Sequence, residues 1–367
     1  MNKLRNQSLD SLRGIGILLI FILHVGIYFP LSNAFLRDFS NMGSMGVQIF
    51  FIISGLSLSW MYKESEMINF REFIYKRMVR LLPMFYLFII INLMFFGLVE
   101  RHRAPHGNDI STILLNLSLL GWLSPWAIDS IIDGSWFIFS LMVFYLIFPF
   151  LKRMINSIYR ALFVYSFALF LGFLFSIILI IFYRHVLIHY FNYSLVEKEA
   201  ILGYFYYLPI NHIHEFILGI VMSYLLINNE KADMRYSSLY ILFYLFVIFF
   251  SKGSVPRFGI NLKNSILSLL LIIPMCKAPV KILVNPFFVF LGQRSLSIFL
   301  NHLVILDLIK EQLLIFPFLN ASNANLQFTL VFFVSLVLSI IIAIITYNLI
   351  EVRLANYLKL KYQTMLN

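Results

Sequence analysis

The sequence is poor in charge, in cysteine and in polar stretches long enough to fold by themselves. Asp, Glu, Lys and Arg make up 12% of its 367 residues, against 61% hydrophobic residues. That balance excludes an ordinary soluble domain, in which roughly a quarter of the residues are charged. A single cysteine, Cys276, excludes an intrachain disulfide and a cysteine cluster for a structural metal. No metal site is expected. The polar connections near 184–203 and 307–326 are about twenty residues each, too short for a separate domain. Residues 1–367 therefore read as one integral-membrane domain with a helical core over about 10–350. The first apolar run lacks a small-residue cleavage site, so a cleaved signal peptide is not expected.

What is present is a series of long apolar runs, which helices produce and barrel strands do not. The expected fold is an all-α polytopic membrane protein of about ten spans. They are placed near 14–30, 44–62, 80–100, 134–151, 161–183, 204–227, 236–251, 258–276, 285–306 and 327–350. With both termini cytoplasmic, 18 of the 28 Lys and Arg fall inside, which obeys the positive-inside rule. The net charge of +11 is thus read as topology and contact with membrane lipid, and no nucleic-acid partner is expected. Residues 112–127 are apolar but broken by Asn116, Gly121, Ser124 and Pro125. Counting them as a span would put Lys152, Arg153 and Arg160 outside, so a re-entrant or interfacial segment is expected there.

Several groups could carry chemistry. Arg13 and His24 are eleven residues apart, which on a helix places them on one face about 16 Å apart along the axis. A topological charge and a packed polar residue would explain the pair as well. Asp10 stands three residues before Arg13 and could orient it. The first basic loop holds Lys63, Arg71, Lys76, Arg77 and Arg80, of which Arg77 and Arg80 share a helix face suited to phosphate. Lipid-facing topology accounts for these charges too. Gly46-Val47-Gln48-Ile49-Phe50-Phe51-Ile52-Ile53-Ser54-Gly55 mixes small and bulky residues, as close helix packing does. Trp136 opens the fourth span, with Phe144, Tyr145 and Pro149 near its end. His212, His214 and Glu215 cluster in the sixth, where Glu215 reads as a buried acid with a partner on another helix. Arg294, Ser295, Ser297 and His302 lie in the ninth; His302 with Asp307 fits an H-x4-D pattern, discounted because Asp307 is expected in a loop.

Together these stretches resemble the acyltransferase-3 family of polytopic membrane acyltransferases. Arg13 and His24 match its Arg/Lys-x10-His motif, Arg77-Met78-Val79-Arg80 its Arg-x-x-Arg motif, and Gly46 to Gly55 its G-V-x-x-F-F-x-x-S-G stretch. Trp136 with Phe144-Tyr145 and Pro149, Glu215-Phe216 with Gly219, and Ser295, Ile298, Leu300 and His302 follow in the family's order. Leu141 and Met142 stand where many members carry a Glu pair, so no role for that acid carries over.

The resemblance implies transfer of an acyl group, in the first instance acetyl, from cytoplasmic acyl-CoA to a hydroxyl of a cell-envelope glycan or lipid-linked oligosaccharide. His24 would be the catalytic residue with Arg13 and Asp10, and Arg77 and Arg80 would hold the acyl-CoA donor. Ser54, Trp136, Tyr145, Glu215 and His302 are further candidates. It also implies a multi-pass protein of the bacterial inner membrane, with no bound cofactor and no fused periplasmic hydrolase-like domain. A glycan transporter or flippase is the competing class, although no two halves share matching broken spans.

Overall fold

The computed structural model describes residues 3–62, 68–100, 104–183, 193–227, 256–277, 282–311 and 319–366. The expected span at 236–251 and Lys63 lie outside the described residues. Within them the regular elements are helices, and no strand forms. Six are long and apolar enough to cross a membrane, seven if one bent pair is a single span. The chain has the build of a multi-pass membrane protein.

The departures from the expected spans have local causes. Where 204–227 was expected as one span, α8 (Leu195–Tyr207) and α9 (Ile213–Ile227) are separated by a turn. Pro209 follows Leu208, whose backbone is extended (φ −61°, ψ 137°), as the residue before a proline prefers. Where 285–306 was expected, α11 (Pro286–Gln293) and α12 (Ser295–Glu311) meet at a bend of 76°. Arg294 leaves the helical backbone there (φ −107°, ψ 9°). The last helix is longer than expected, because α13 (Ala324–Thr346) runs through a π-helical stretch, Tyr347–Leu354, into α14 (Ala355–Leu366). Helix α4 (Phe70–Phe96) starts ten residues before the expected span, so Arg71, Lys76, Arg77 and Arg80 lie on it.

Polar residues between the apolar runs cap the helices. Asn69 accepts from Glu72 N–H at the start of α4, and Asn285 from Phe288 N–H at the start of α11, where Pro286 follows. Ser194 and Glu197 form a reciprocal capping box on α8. The Ser194 N–H bonded to Glu197 holds that carboxyl below its ordinary pKa.

Two compact units divide the chain. One comprises 1–49, 69–97 and 271–367; the other comprises 50–68 and 98–270. In the first, α1 (Lys3–Tyr28) is the central helix. Its Gly14 faces the α11 backbone so closely that an added Cβ would lie 2.1 Å from Phe288 O. In return, a Cβ on Gly292 of α11 would lie 1.7 Å from Asp10 O. The two helices touch backbone to backbone, a contact that only residues without a side chain permit.

The second unit is built the same way around α3 (Met45–Met61), whose later turns belong to it, and α9. Cβ atoms on Gly55 and Gly219 would each lie 2.0 Å from a carbonyl oxygen, of Phe216 and Ile52 respectively. Phe51 packs among Phe137 and Phe144 of α6 (Ser135–Met154), and Phe144 meets Phe216. Residues 112–127 carry α5 (Ile110–Leu117) and then turns, with Leu119 at φ 62°. Eight helical residues rise only about 12 Å, far less than a bilayer core.

Gly14→Val places methyl groups against the Phe288 carbonyl and forces α1 and α11 apart. Melting of the detergent-solubilised protein should fall by an amount matching roughly 1–3 kcal/mol of overpacking or more. An unchanged melting temperature would mean that the contact does not hold the unit together.

Candidate active site

Among the polar residues of helix α12 in the first unit, Ser297, His302 and Asp307 are spaced five residues apart, or about 7.5 Å of helix axis at each step. Each meets a polar partner from another helix. Ser297 Oγ donates to Glu351 Oε1 in the π-helical stretch at 2.6 Å. His302 Nε2 is 2.8 Å from His24 Nδ1 of α1. Asp307 Oδ1 accepts from Tyr28 Oη of α1 at 2.7 Å. His24 and Tyr28 are four apart on α1 and so lie on one face. The three pairs form a polar column about 15 Å long that winds around α12, because each five-residue step turns the helix by about 140°.

One end of the column is basic. Arg80 and Arg294 stand close enough to Glu351 for their charges to act on it. The Arg294 guanidinium is held between the rings of Phe290 and Tyr347, 3.9 and 4.7 Å from their centroids, and its Nη1 donates to Phe290 O at 3.2 Å. Arg77, one turn before Arg80 on α4, sits over the Phe73 ring at 5.3 Å. Lys76 is paired with Glu72 on the surface of the same helix. On α1, Arg13 Nη1 bonds Asp10 Oδ1 at 2.8 Å, the i,i+3 pair expected from the spacing. A backbone carbonyl of that segment, Asp10 O, touches Gly292, two residues before Arg294. At the other end, Lys310 Nζ lies 5.3 Å from the Tyr28 ring centroid.

At the centre, His302 is fully buried against the rings of Phe21, Phe299 and His24. Its Nδ1 is 2.7 Å from Phe299 O. His24 is half-buried. An imidazole pair set between a basic cluster and a second polar pair is an arrangement able to take up and release protons.

The remaining candidates belong to the second unit. Trp136 and Tyr145 are buried on α6. Trp136 is stacked on Tyr207 at 4.9 Å and packs against His212 at the same distance. Ser54 lies on α3 beside Gly55, whose contact with Phe216 accounts for the small residues of that stretch. Glu215 is fully buried, and its Oε2 is 3.3 Å from His212 Nδ1, three residues earlier. His212 is a local partner, because it sits in the turn before α9 and folds back on it. His212 Nε2 reaches Tyr206 O at 3.0 Å.

Asp307 corrects an expectation, since it lies within α12 and not in a loop. Glu351 was missed altogether. It stands at the very end of an apolar run, where an acid is easily taken for a flanking charge, and only the π-helical turn aims it inward.

The geometry defines a class, a helical membrane protein with a basic terminus, a histidine pair and a polar exit on one helix. The chain belongs to the acyltransferase-3 family, whose acyltransferase domain matches residues 6–347. It is also similar to the acyltransferase MdmB of Streptomyces mycarofaciens, with 26% identity over 166 residues, 42% of this chain and 41% of that protein. The match thus spans less than half of that relative's length. No solved structure matches the chain.

Glu351→Leu removes the acceptor of Ser297 and the counter-charge of Arg80 and Arg294. The detergent-solubilised variant should lose roughly 1.5–3 kcal/mol, and Glu351→Gln, which keeps an acceptor for Ser297, should lose less. Equal losses in the two variants would assign the effect to the missing charge and none of it to the Ser297 hydrogen bond.

Proposed function

We propose that this protein transfers an acyl group, acetyl in the first instance, from acyl-CoA to a hydroxyl of a cell-envelope glycan or lipid-linked oligosaccharide. The observation that carries the reading is the histidine pair at 2.8 Å, midway between the arginine cluster and the Tyr28–Asp307 pair. In this reading Arg77 and Arg80 bind the phosphates of the donor at the cytoplasmic surface through charge-assisted bonds. Arg13, oriented by Asp10, lines the donor's path along the same face of α1 as His24. The acceptor hydroxyl enters from the Tyr28–Asp307 end.

The chemistry then balances within the column. The His24 imidazole takes the proton of the acceptor hydroxyl as its oxygen attacks the thioester carbon. The C–S bond breaks, and the coenzyme A thiolate leaves, taking the proton from the imidazolium. Ester and thiol are the products. In this reading the protein lies in the bacterial inner membrane with both termini cytoplasmic, and the donor comes from the side where coenzyme A is made. Ser54, Trp136, Tyr145 and Glu215 take no step in this scheme.

Purified protein in nanodiscs, given labelled acetyl-CoA and a glycan extract, should move label to carbohydrate. Movement of glycan across vesicles without donor would instead identify a transporter. His24→Ala should lower transfer by on the order of 10²–10⁴-fold at unchanged protein level. Arg77→Ala should raise the donor KM on the order of tenfold, the loss of one charged hydrogen bond. Full activity in the first variant sinks the mechanism, and an unchanged donor KM in the second leaves Arg77 a topological charge.

A further inference from the structure

We propose that His302 is a positioning residue that holds His24 in its Nδ1–H tautomer, so that the basic lone pair lies on Nε2. The inference rests on the reading of His24 as the base and adds how that base is kept ready. Donors and acceptors must alternate along the contacts from Phe299 O to His24. Phe299 O can only accept, so His302 Nδ1, at 2.7 Å from it, carries a hydrogen. In the neutral ring His302 Nε2 is then an acceptor. His24 Nδ1, 2.8 Å away, must donate to it. The lone pair of His24 is left on Nε2.

The alternative is a protonated His302, which would donate from both nitrogens and reverse the tautomer of His24. The surroundings disfavour it. The rings against His302 are those of Phe21, Phe299 and neutral His24, and a buried cation without a paired carboxylate is costly. Those contacts also fix the direction of the ring, since Phe21 is itself braced edge-on by Phe332 at 5.8 Å.

The arrangement performs the task that an aspartate performs for the histidine of a Ser-His-Asp triad, with a neutral acceptor in place of a charge. Depth in the membrane makes the neutral acceptor the cheaper choice. As His24 takes the acceptor's proton at Nε2, its Nδ1–H becomes that of a cation, and the bond to His302 strengthens. His302 takes up no proton itself, because its only lone pair is already engaged by His24.

Long-range ¹H–¹⁵N spectra of histidine-labelled protein in nanodiscs read the tautomer directly, with the His24 signals assigned by their loss in His24→Gln. The wild-type protein should show His24 protonated at Nδ1, and His302→Phe should show it shifted to Nε2 or averaged between the two. His24 protonated at Nε2 in the wild type, or unmoved in the variant, overturns the proposal. In the acyl-transfer assay His302→Phe should lose on the order of 10²-fold in kcat, the general-base contribution, at nearly unchanged donor KM. His302→Gln, whose Oε1 can accept from His24, should restore most of that loss. No rescue by Gln, in protein that folds normally, overturns the positioning role. An active His24→Ala variant would refute the base while leaving the tautomer measurement to judge the histidine pair separately.

Discussion

The backbone contact between Gly14 and Gly292 is the constraint on which the first unit depends. It brings α1 and α11 together with no side chain between them, each Cβ position lying within about 2 Å of the other helix's carbonyl oxygen. Helix α12 begins two residues after Gly292, across the bend at Arg294, so its position along α1 follows from that contact. A histidine ten residues past Gly292 then meets a histidine ten residues past Gly14. The bend of 76° lies between Gly292 and His302, and beyond it α12 follows α1 through the His24–His302 and Tyr28–Asp307 contacts.

The bend also solves an electrostatic problem. An arginine in the middle of a straight apolar span would have to bury its guanidinium in hydrocarbon, at a cost of several kcal/mol. At the break, Arg294 can bond Phe290 O, lie between two aromatic rings and share Glu351 with Arg80. The π-helical stretch completes the arrangement. Widening the helix over Tyr347–Leu354 brings Tyr347 and Glu351 to the same cluster, one as a ring against the guanidinium and the other as its counter-charge. Such local widening of a helix commonly accompanies functional groups.

Much of this was legible in the residues. The all-helical membrane class followed from composition, and the Asp10–Arg13 pair and the shared face of Arg77 and Arg80 followed from helical spacing. What spacing along one helix could not supply was the partner on another. His24 and His302 are 278 residues apart, and nothing in either segment names the other. Asp307 was misread because the polar end of α12 looks like a loop, although Tyr28 holds it inside the unit. Pro209 lies at the break in the sixth expected span, which spacing of apolar residues alone does not reveal, and the break at Arg294 has no proline to mark it.

The placement of polar groups along α12 gives the column a direction that a catalyst moving charge can use. At the Ser297 end, guanidinium groups gather around one carboxylate and leave a net positive end, an arrangement that attracts anions. At the Asp307 end the partners are a phenol and a carboxylate with Lys310 beside them, groups able to hydrogen-bond a sugar hydroxyl but without a phosphate-binding fork. Between them stands the histidine pair. Burying an unpaired carboxylate at that depth would cost several kcal/mol, so a histidine suits the place beside His24 better than an aspartate does.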